Sequence, residues 1–285
     1  APTGEASMAI KDLLVAFDGN AAAVCATRLG VQMARKYDAR LSGVFISEAT
    51  SFETHVRRWM TREMLDQVRE GERLAQQGIG DLFRASVKEA GYEGEASWLE
   101  LEGKPHVLLP RVSRYFDLML LGQFGADEQS RGRELQAESI LLRAGKPLII
   151  VPRSYQPRPF KEHAMVAWDG SRSAARALTD AMQILETKTR LDIVDLKRDR
   201  SQWAPPVPEH DIIAHLKLHG VAAQRVTLDS ATRSLGETLL DHARTNDPDI
   251  LVMGAYGRGK FGGLLFGTLT RYVLEHLCVP TLLSH

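Results

Sequence analysis

Behind the apolar run Ile250-Leu-Val-Met253 the chain reads Gly254-Ala-Tyr-Gly257-Arg258-Gly259-Lys260-Phe-Gly-Gly-Leu-Leu-Phe-Gly267-Thr268. Such a stretch can hold a chain of phosphates. Glycines at a strand end admit positive φ and close main-chain approach, while a helix opening at Gly267 offers unpaired N–H donors and a positive dipole end. Arg258 and Lys260 add formal positive charge in the same loop, either as phosphate contacts or as solvated loop charges. Two further readings of the glycines stay open: a tight turn with close helix packing, and a site for another anion. Gly257-Arg-Gly259-Lys-Phe-Gly262 also fits the dinucleotide pattern Gly-x-Gly-x-x-Gly. That fingerprint belongs to a first βαβ unit with an acidic residue about twenty positions on, whereas here it follows a fourth strand close to the chain end. Nor is Gly259-Lys260 a Walker loop, because Phe261 stands where a hydroxyl would hold Mg²⁺.

A set of catalytic side chains is not visible. The sequence has no Gly-x-Ser-x-Gly elbow, no His-Glu-x-x-His and no Cys-x-x-Cys. Asp211, His215 and His219 are spaced one helical turn apart and could ligate a metal, or could line a solvated helix face. Asp169 beside a triphosphate is a candidate to hold Mg²⁺. A lone carboxylate is thin support for catalysed phosphoryl transfer, which needs a positioned base or water-orienting group besides the metal.

These residues are positioned by a repeat. Leu13-Leu-Val-Ala-Phe17-Asp18-Gly19-Asn20 parallels Ala164-Met-Val-Ala-Trp168-Asp169-Gly170-Ser171. Ala39–Ile46 parallels Thr189–Leu196, Asp117–Gly122 parallels Asp249–Gly254, and Gly145–Pro152 parallels Cys278–Leu283. Four matches in one order indicate two copies of one domain, 8–155 and 160–285, joined near Arg153-Ser-Tyr-Gln-Pro-Arg-Pro159. Short apolar runs alternate with stretches of helical period. Strands are predicted at 12–17, 41–46, 96–101, 117–121 and 147–151, then 164–168, 191–196, 222–227, 250–253 and 280–283. Helices are predicted at 20–37, 54–91, 105–115 and 134–144, then 171–187, 209–219, 234–246 and 267–277. Continuously apolar strands such as Leu148–Val151 suit a parallel sheet covered on both faces, so each copy is read as a doubly wound α/β sandwich. Ligands of such sheets bind beyond the carboxyl ends of the strands at a topological switch point, and Asp169 and Gly254 can reach one such crevice.

The spacing Gly-x2-Gly-x9-Gly-Ser/Thr, the Asp-Gly-Ser after the first strand and the five-stranded βα repeat together resemble the universal stress protein family, as a tandem pair. The resemblance implies ATP or another adenine nucleotide in the second copy. Asp169 would contact the ribose and backbone near Leu196 the adenine edge. Gly254, Gly257 and Gly259 would lie along the phosphates, with Gly267, Thr268 and Thr270 donating from the helix start. It also implies a regulatory or protective role. The rivals are a slow ATPase or nucleotide-dependent enzyme, and an interaction module without nucleotide. The final strands, Pro147–Val151 and Pro280–Leu283, would pair antiparallel as an intramolecular pseudo-dimer, with a further homodimer open. The first copy keeps Gly122 and Gly125, but Leu135-Gln136 replaces the Gly-Thr pair and Asp127, Glu128 and Glu134 crowd the loop. It is expected to bind no nucleotide, or a different ligand.

Composition narrows the partners. A formal net charge of zero over 285 residues gives no footprint for nucleic acid or anionic membranes. No run approaches the length of a membrane helix. Cys25 and Cys278 are expected as free thiols in a reducing cytoplasm. Ala1–Ser7 shows no periodicity, so Met8 is the expected start. The extra length of the helical region 54–91, with Trp59, Met60, Met64, Leu65, Val68, Leu74, Ile79, Leu82 and Phe83 on its stripe, is expected mostly as core. The other reading is a surface for an unidentified protein partner.

Overall fold

A computed structural model describes residues 10–47, 61–123, 139–197, 211–229, 233–255 and 267–285. Ten strands run in chain order: β1 Asp12–Ala16, β2 Arg40–Ser47, β3 Ser97–Glu102, β4 Leu118–Gly122, β5 Leu148–Val151, β6 His163–Trp168, β7 Arg190–Lys197, β8 Gln224–Asp229, β9 Ile250–Gly254 and β10 Thr281–Ser284. They form one sheet in the order β3-β2-β1-β4-β5-β10-β9-β6-β7-β8. Read outward from the centre, the two halves have the same topology. All pairings are parallel except β5 with β10, where Ile150, Ile149 and Leu148 face Thr281, Leu282 and Leu283 antiparallel. Two edges that would invite foreign strands therefore close on each other.

Strand side chains alternate between faces, and the core follows that period. Leu13, Val15, Leu118, Leu120, Ile149, Val166 and Val252 share one apolar cluster. Leu14, Met119, Leu148, Met165 and Leu251 belong to the cluster on the other face. Both clusters run through both halves. Helices cover both faces, as an α/β sandwich requires.

Helix starts follow their capping residues. Asn20 Oδ1 accepts from Ala23 N at 2.8 Å and Ser171 Oγ from Ala174 N at 3.2 Å, so Asn20 does in the first half what Ser171 does in the second. Ser234 and Glu237 form a reciprocal capping box on the helix Leu235–Asn246. The helix Pro105–Ser113 contains Pro110 and still continues one turn past it. Of the predicted helix 134–144, residues 139–144 are helical and the rest lie outside the described residues.

The long helix spans Arg62–Glu89; residues 54–60 of its predicted range lie outside the described residues. Its stripe is not mostly core. Phe83 and Val87 are buried, but Met64, Val68, Leu74 and Leu82 are exposed. The reason is length: 28 residues make a rod of about 42 Å, while the eight-residue β2 spans about 26 Å. The amino-terminal half of the helix outruns the sheet.

Candidate functional site

The chain reverses strand order beside β6, which has β7 on one flank and β9 on the other. The crevice at the carboxyl ends of these three strands is assembled from four pieces. The first is the loop Asp169-Gly170-Ser171. Gly170 has φ 72°, a left-handed turn that brings the Ser171 amide back onto Asp169 Oδ1 at 2.9 Å. Asp169 is exposed at the mouth.

The second piece is the end of β7. Arg190 N donates to Glu162 O on the β6 side. Alternate residues of a parallel strand turn both peptide groups the same way, so 192, 194 and 196 also face β6. β6 ends at Trp168, opposite Asp195. The Leu196 N–H, by the same ladder, meets the last β6 carbonyl at Trp168, so its C=O is the group that faces past the end of β6 towards the crevice.

Gly254 is the third piece. A methyl carbon there would lie 2.5 Å from the Ser173 carbonyl carbon and 2.7 Å from the Ala174 nitrogen. Its glycine is required by the approach of β9 to the helix Arg172–Leu185, with or without a ligand. Gly122 stands in the same relation to Ala22 in the first half.

The fourth piece is the helix Thr268–Glu275. It opens at Gly267, in extended backbone, with no side chain capping its amides. Thr268 is exposed, whereas Thr270 is 2% exposed, so of the two hydroxyls only that of Thr268 meets a ligand without rearrangement. Gly257, Arg258, Gly259 and Lys260 lie outside the described residues.

Two further residues reach this rim without any signal in the sequence spacing. β10 runs beside β9 as far as Ser284 opposite Gly254, which carries His285 to the neighbourhood of Arg172. Burial, and then the Arg172 charge, hold the His285 imidazole below its ordinary pKa.

The trio Asp211, His215 and His219 does not assemble as a metal site. Asp211 caps the helix Ile212–Leu218 and pairs with Arg225 at 2.5 Å, while the two imidazoles meet edge to face. Among the described residues no cluster suited to a metal ion occurs. Cys25 and Cys278 are both free thiols. No described helix is long and apolar enough to cross a membrane.

The equivalent crevice of the first half differs. A cavity of about 290 Å³ opens there, lined by Phe17, Val44, Ile46, Leu109, Leu121 and Ile140 among others, with Asp18, Asn20 and Gln123 as its polar groups. Asn20 bonds both oxygens of Asp18, at 3.2 and 2.9 Å. Gly125, Asp127, Glu128, Glu134, Leu135 and Gln136 lie outside the described residues.

Residues 162–285 match the sequence profile of the Universal stress protein family. The Universal stress protein Slr1230 of Synechocystis is 25% identical over 173 residues, which cover 59% of this chain and 57% of that protein. A universal stress protein of Archaeoglobus fulgidus matches the whole architecture with a TM-score of 0.71 at 15% identity, covering 96% of this chain and 97% of its own. A universal stress protein in complex with cAMP matches 51% of this chain at 19% identity and a TM-score of 0.36.

Proposed function

We propose that this chain, a member of the universal stress protein family through its second half, holds ATP or another adenine nucleotide at the carboxyl ends of β6, β7 and β9. The observation that carries this reading is the open start of the helix Thr268–Glu275. The helices starting after Asn20, Thr61, Ser171, Asp211 and Ser234 each commit a side-chain oxygen to their own amides; the helix Pro105–Ser113 is uncapped too, but its first residue, a proline, has no N–H to offer. Gly267 has no side-chain oxygen to commit. A helix start left this way has donors and a positive dipole end available for an anion.

The nucleotide would lie with its base against the backbone near Leu196, its ribose at Asp169 and its phosphates towards Gly267 and Thr268. Arg258, Lys260 and the main chain at Gly257 and Gly259 would complete the phosphate side, with Mg²⁺ between the phosphates and Asp169. Two domains, 8–155 and 160–285, share the work unequally, the second holding the nucleotide. Occupancy would act as a regulatory signal in the cytoplasm, altering what the protein contacts.

The test is a chromatogram of the denatured, purified chain for adenine compounds, followed by ATP titration of the stripped protein. Wild type should carry or take up adenine nucleotide, and Asp169→Ala and Gly267→Glu should lose it by at least tenfold in Kd. A wild-type chain that neither carries an adenine compound nor binds added ATP, ADP or AMP overturns the reading.

A further inference from the structure

The long helix Arg62–Glu89 carries an apolar seam beside its sheet-facing stripe. Met64, Val68, Gly71, Ala75, Gly78 and Leu82 are spaced 4, 3, 4, 3 and 4 residues apart, and all six are exposed. That is the period of a helix packed along a second helix. The buried Phe83 lies about 100° round the helix from Leu82, so the seam is a separate face and not a continuation of the core. No charged residue falls on it; Asp66, Arg73 and Arg84 belong to the opposite side of the helix.

The glycines on this face lack a reason within the chain. Glycine disfavours a helix more than any residue but proline, so an interior glycine calls for a close contact. Gly80 has one, because a side-chain carbon there would lie 3.0 Å from Trp98 Nε1. At Gly71 and Gly78 an added carbon would meet nothing within 4 Å. A second backbone approaching from outside accounts for both.

The residue order names that second backbone, since the seam is complementary to itself. Set antiparallel to a copy about a two-fold axis level with residue 73, Met64 faces the partner's Leu82, Val68 the partner's Gly78 and Gly71 the partner's Ala75. Crossing helices are nearest at their middle, and here the small residues are central while Met64 and Leu82 are terminal. On the outer flank Leu74, 56% exposed, comes against the partner's Leu74 at the axis. Asp81 stays exposed although it pairs with Arg84 at 2.8 Å, and its carboxylate comes against the partner's Gln67 amide, an acceptor beside a donor.

We propose that this face joins two copies of the chain as an antiparallel helix pair, a two-fold contact separate from the β5–β10 pairing inside each chain. It is independent of the nucleotide reading. A strip about 28 Å long and about 10 Å wide is small beside the roughly 800 Å² that each partner buries in a stable complex, so the dimer should be reversible, with a micromolar Kd.

Sedimentation velocity of the full chain from about 1 to about 200 µM should show a dimer that grows with concentration. Leu74→Glu sets two carboxylates together at the axis and should weaken association at least about tenfold, with the urea midpoint of the monomer unchanged. Gly78→Gln should raise that midpoint and still weaken the dimer by a similar factor; it decides the matter if Leu74→Glu fails to fold. Orientation is read from Met64→Cys and Leu82→Cys, each made in a chain carrying Cys25→Ala and Cys278→Ala. A short bismaleimide should link them only when the two chains are mixed. A chain that stays monomeric to about 200 µM overturns the proposal. So does a dimer that a folded Leu74→Glu or Gly78→Gln variant leaves intact, or Met64→Cys linking to itself as well as to Leu82→Cys.

Discussion

Replacing Gly254 by alanine separates two reasons for a glycine at the end of β9. Gly254 is not among the residues with positive φ, so its conformation is open to any side chain. If glycine were only tolerated there, alanine would stabilise the strand by about 0.5–1 kcal/mol through the unfolded chain. The packing predicts the opposite sign. The added carbon would sit 2.5 Å from Ser173 C and 2.7 Å from Ala174 N, both main-chain atoms that cannot rotate aside. Ordinary carbon contacts lie near 3.5 Å, so the first turn of the helix Arg172–Leu185 would have to withdraw by about 1 Å. Overpacking of this kind costs about 1–3 kcal/mol. Gly122→Ala is the matched control, since its carbon would lie 2.4 Å from the Ala22 carbonyl carbon in the half without the Gly-Thr pair. Urea unfolding of the ligand-free protein should show both variants destabilised by comparable amounts. A Gly254→Ala chain as stable as wild type, with only nucleotide affinity reduced, would refute the packing argument and assign the glycine to the ligand.

Other perturbations test the supports of the site. Lys188, 3% exposed, bonds Glu162 at 3.2 Å and the equally buried Asp249 at 3.1 Å; Lys188→Met should cost about 3–5 kcal/mol in urea unfolding by stranding a buried carboxylate. Burial opposes the charge on Asp192, yet hydrogen bonds from Arg190, Gln224 and His163 outweigh it and hold the carboxyl below its ordinary pKa. The stability this confers is present at neutral pH and lost as pH falls through the native value, so acid unfolding of Asp192→Asn should show a shallower pH dependence than wild type. Gln123 Nε2 donates to the Leu274 and Glu275 carbonyls at 3.2 and 3.3 Å, tying the first half to the far end of the helix that opens at Gly267. Gln123→Ala should weaken ATP binding by the second half about fivefold, the equivalent of about 1 kcal/mol, in the calorimeter; unchanged affinity would remove the link.

Much of the fold was legible because the strands are short, apolar and bounded. Leu118–Leu121 and Ile250–Met253 admit no alternative to a strand buried on both faces, and the repeat supplied an internal check on each element. The Asp-Gly loops were legible for a different reason: Gly19 and Gly170 both adopt positive φ, and both precede a capping residue. The stripe on Arg62–Glu89 was misjudged because periodicity reports which face is apolar, not whether a sheet extends beneath it. The first-half cavity left no motif, since it is a space between Leu109, Leu121 and Ile140, which are far apart in sequence. Arg172 and His285 meet only through the β9–β10 pairing. Spacing along the chain carries no trace of that.

The two halves form one mechanical body. The sheet is continuous through β5 and β10, and Lys36 from the first half reaches Glu162 at 2.5 Å beside Lys188. Both ammonium groups lie over the Phe160 ring, 5.3 and 5.1 Å from its centroid. Against this rigid centre the helix Thr268–Glu275 is a short element, only about 12 Å long, with one end at the second-half crevice and the other on Gln123. Gln123 in turn lines the first-half cavity. Any ligand that tightens one end of so short a helix changes the carbonyls at its other end, because two turns cannot absorb a shift internally. A nucleotide that tightens the Gly267 end should therefore be felt at Gln123, and by linkage whatever loosens the Gln123 contacts should weaken the nucleotide by the same factor.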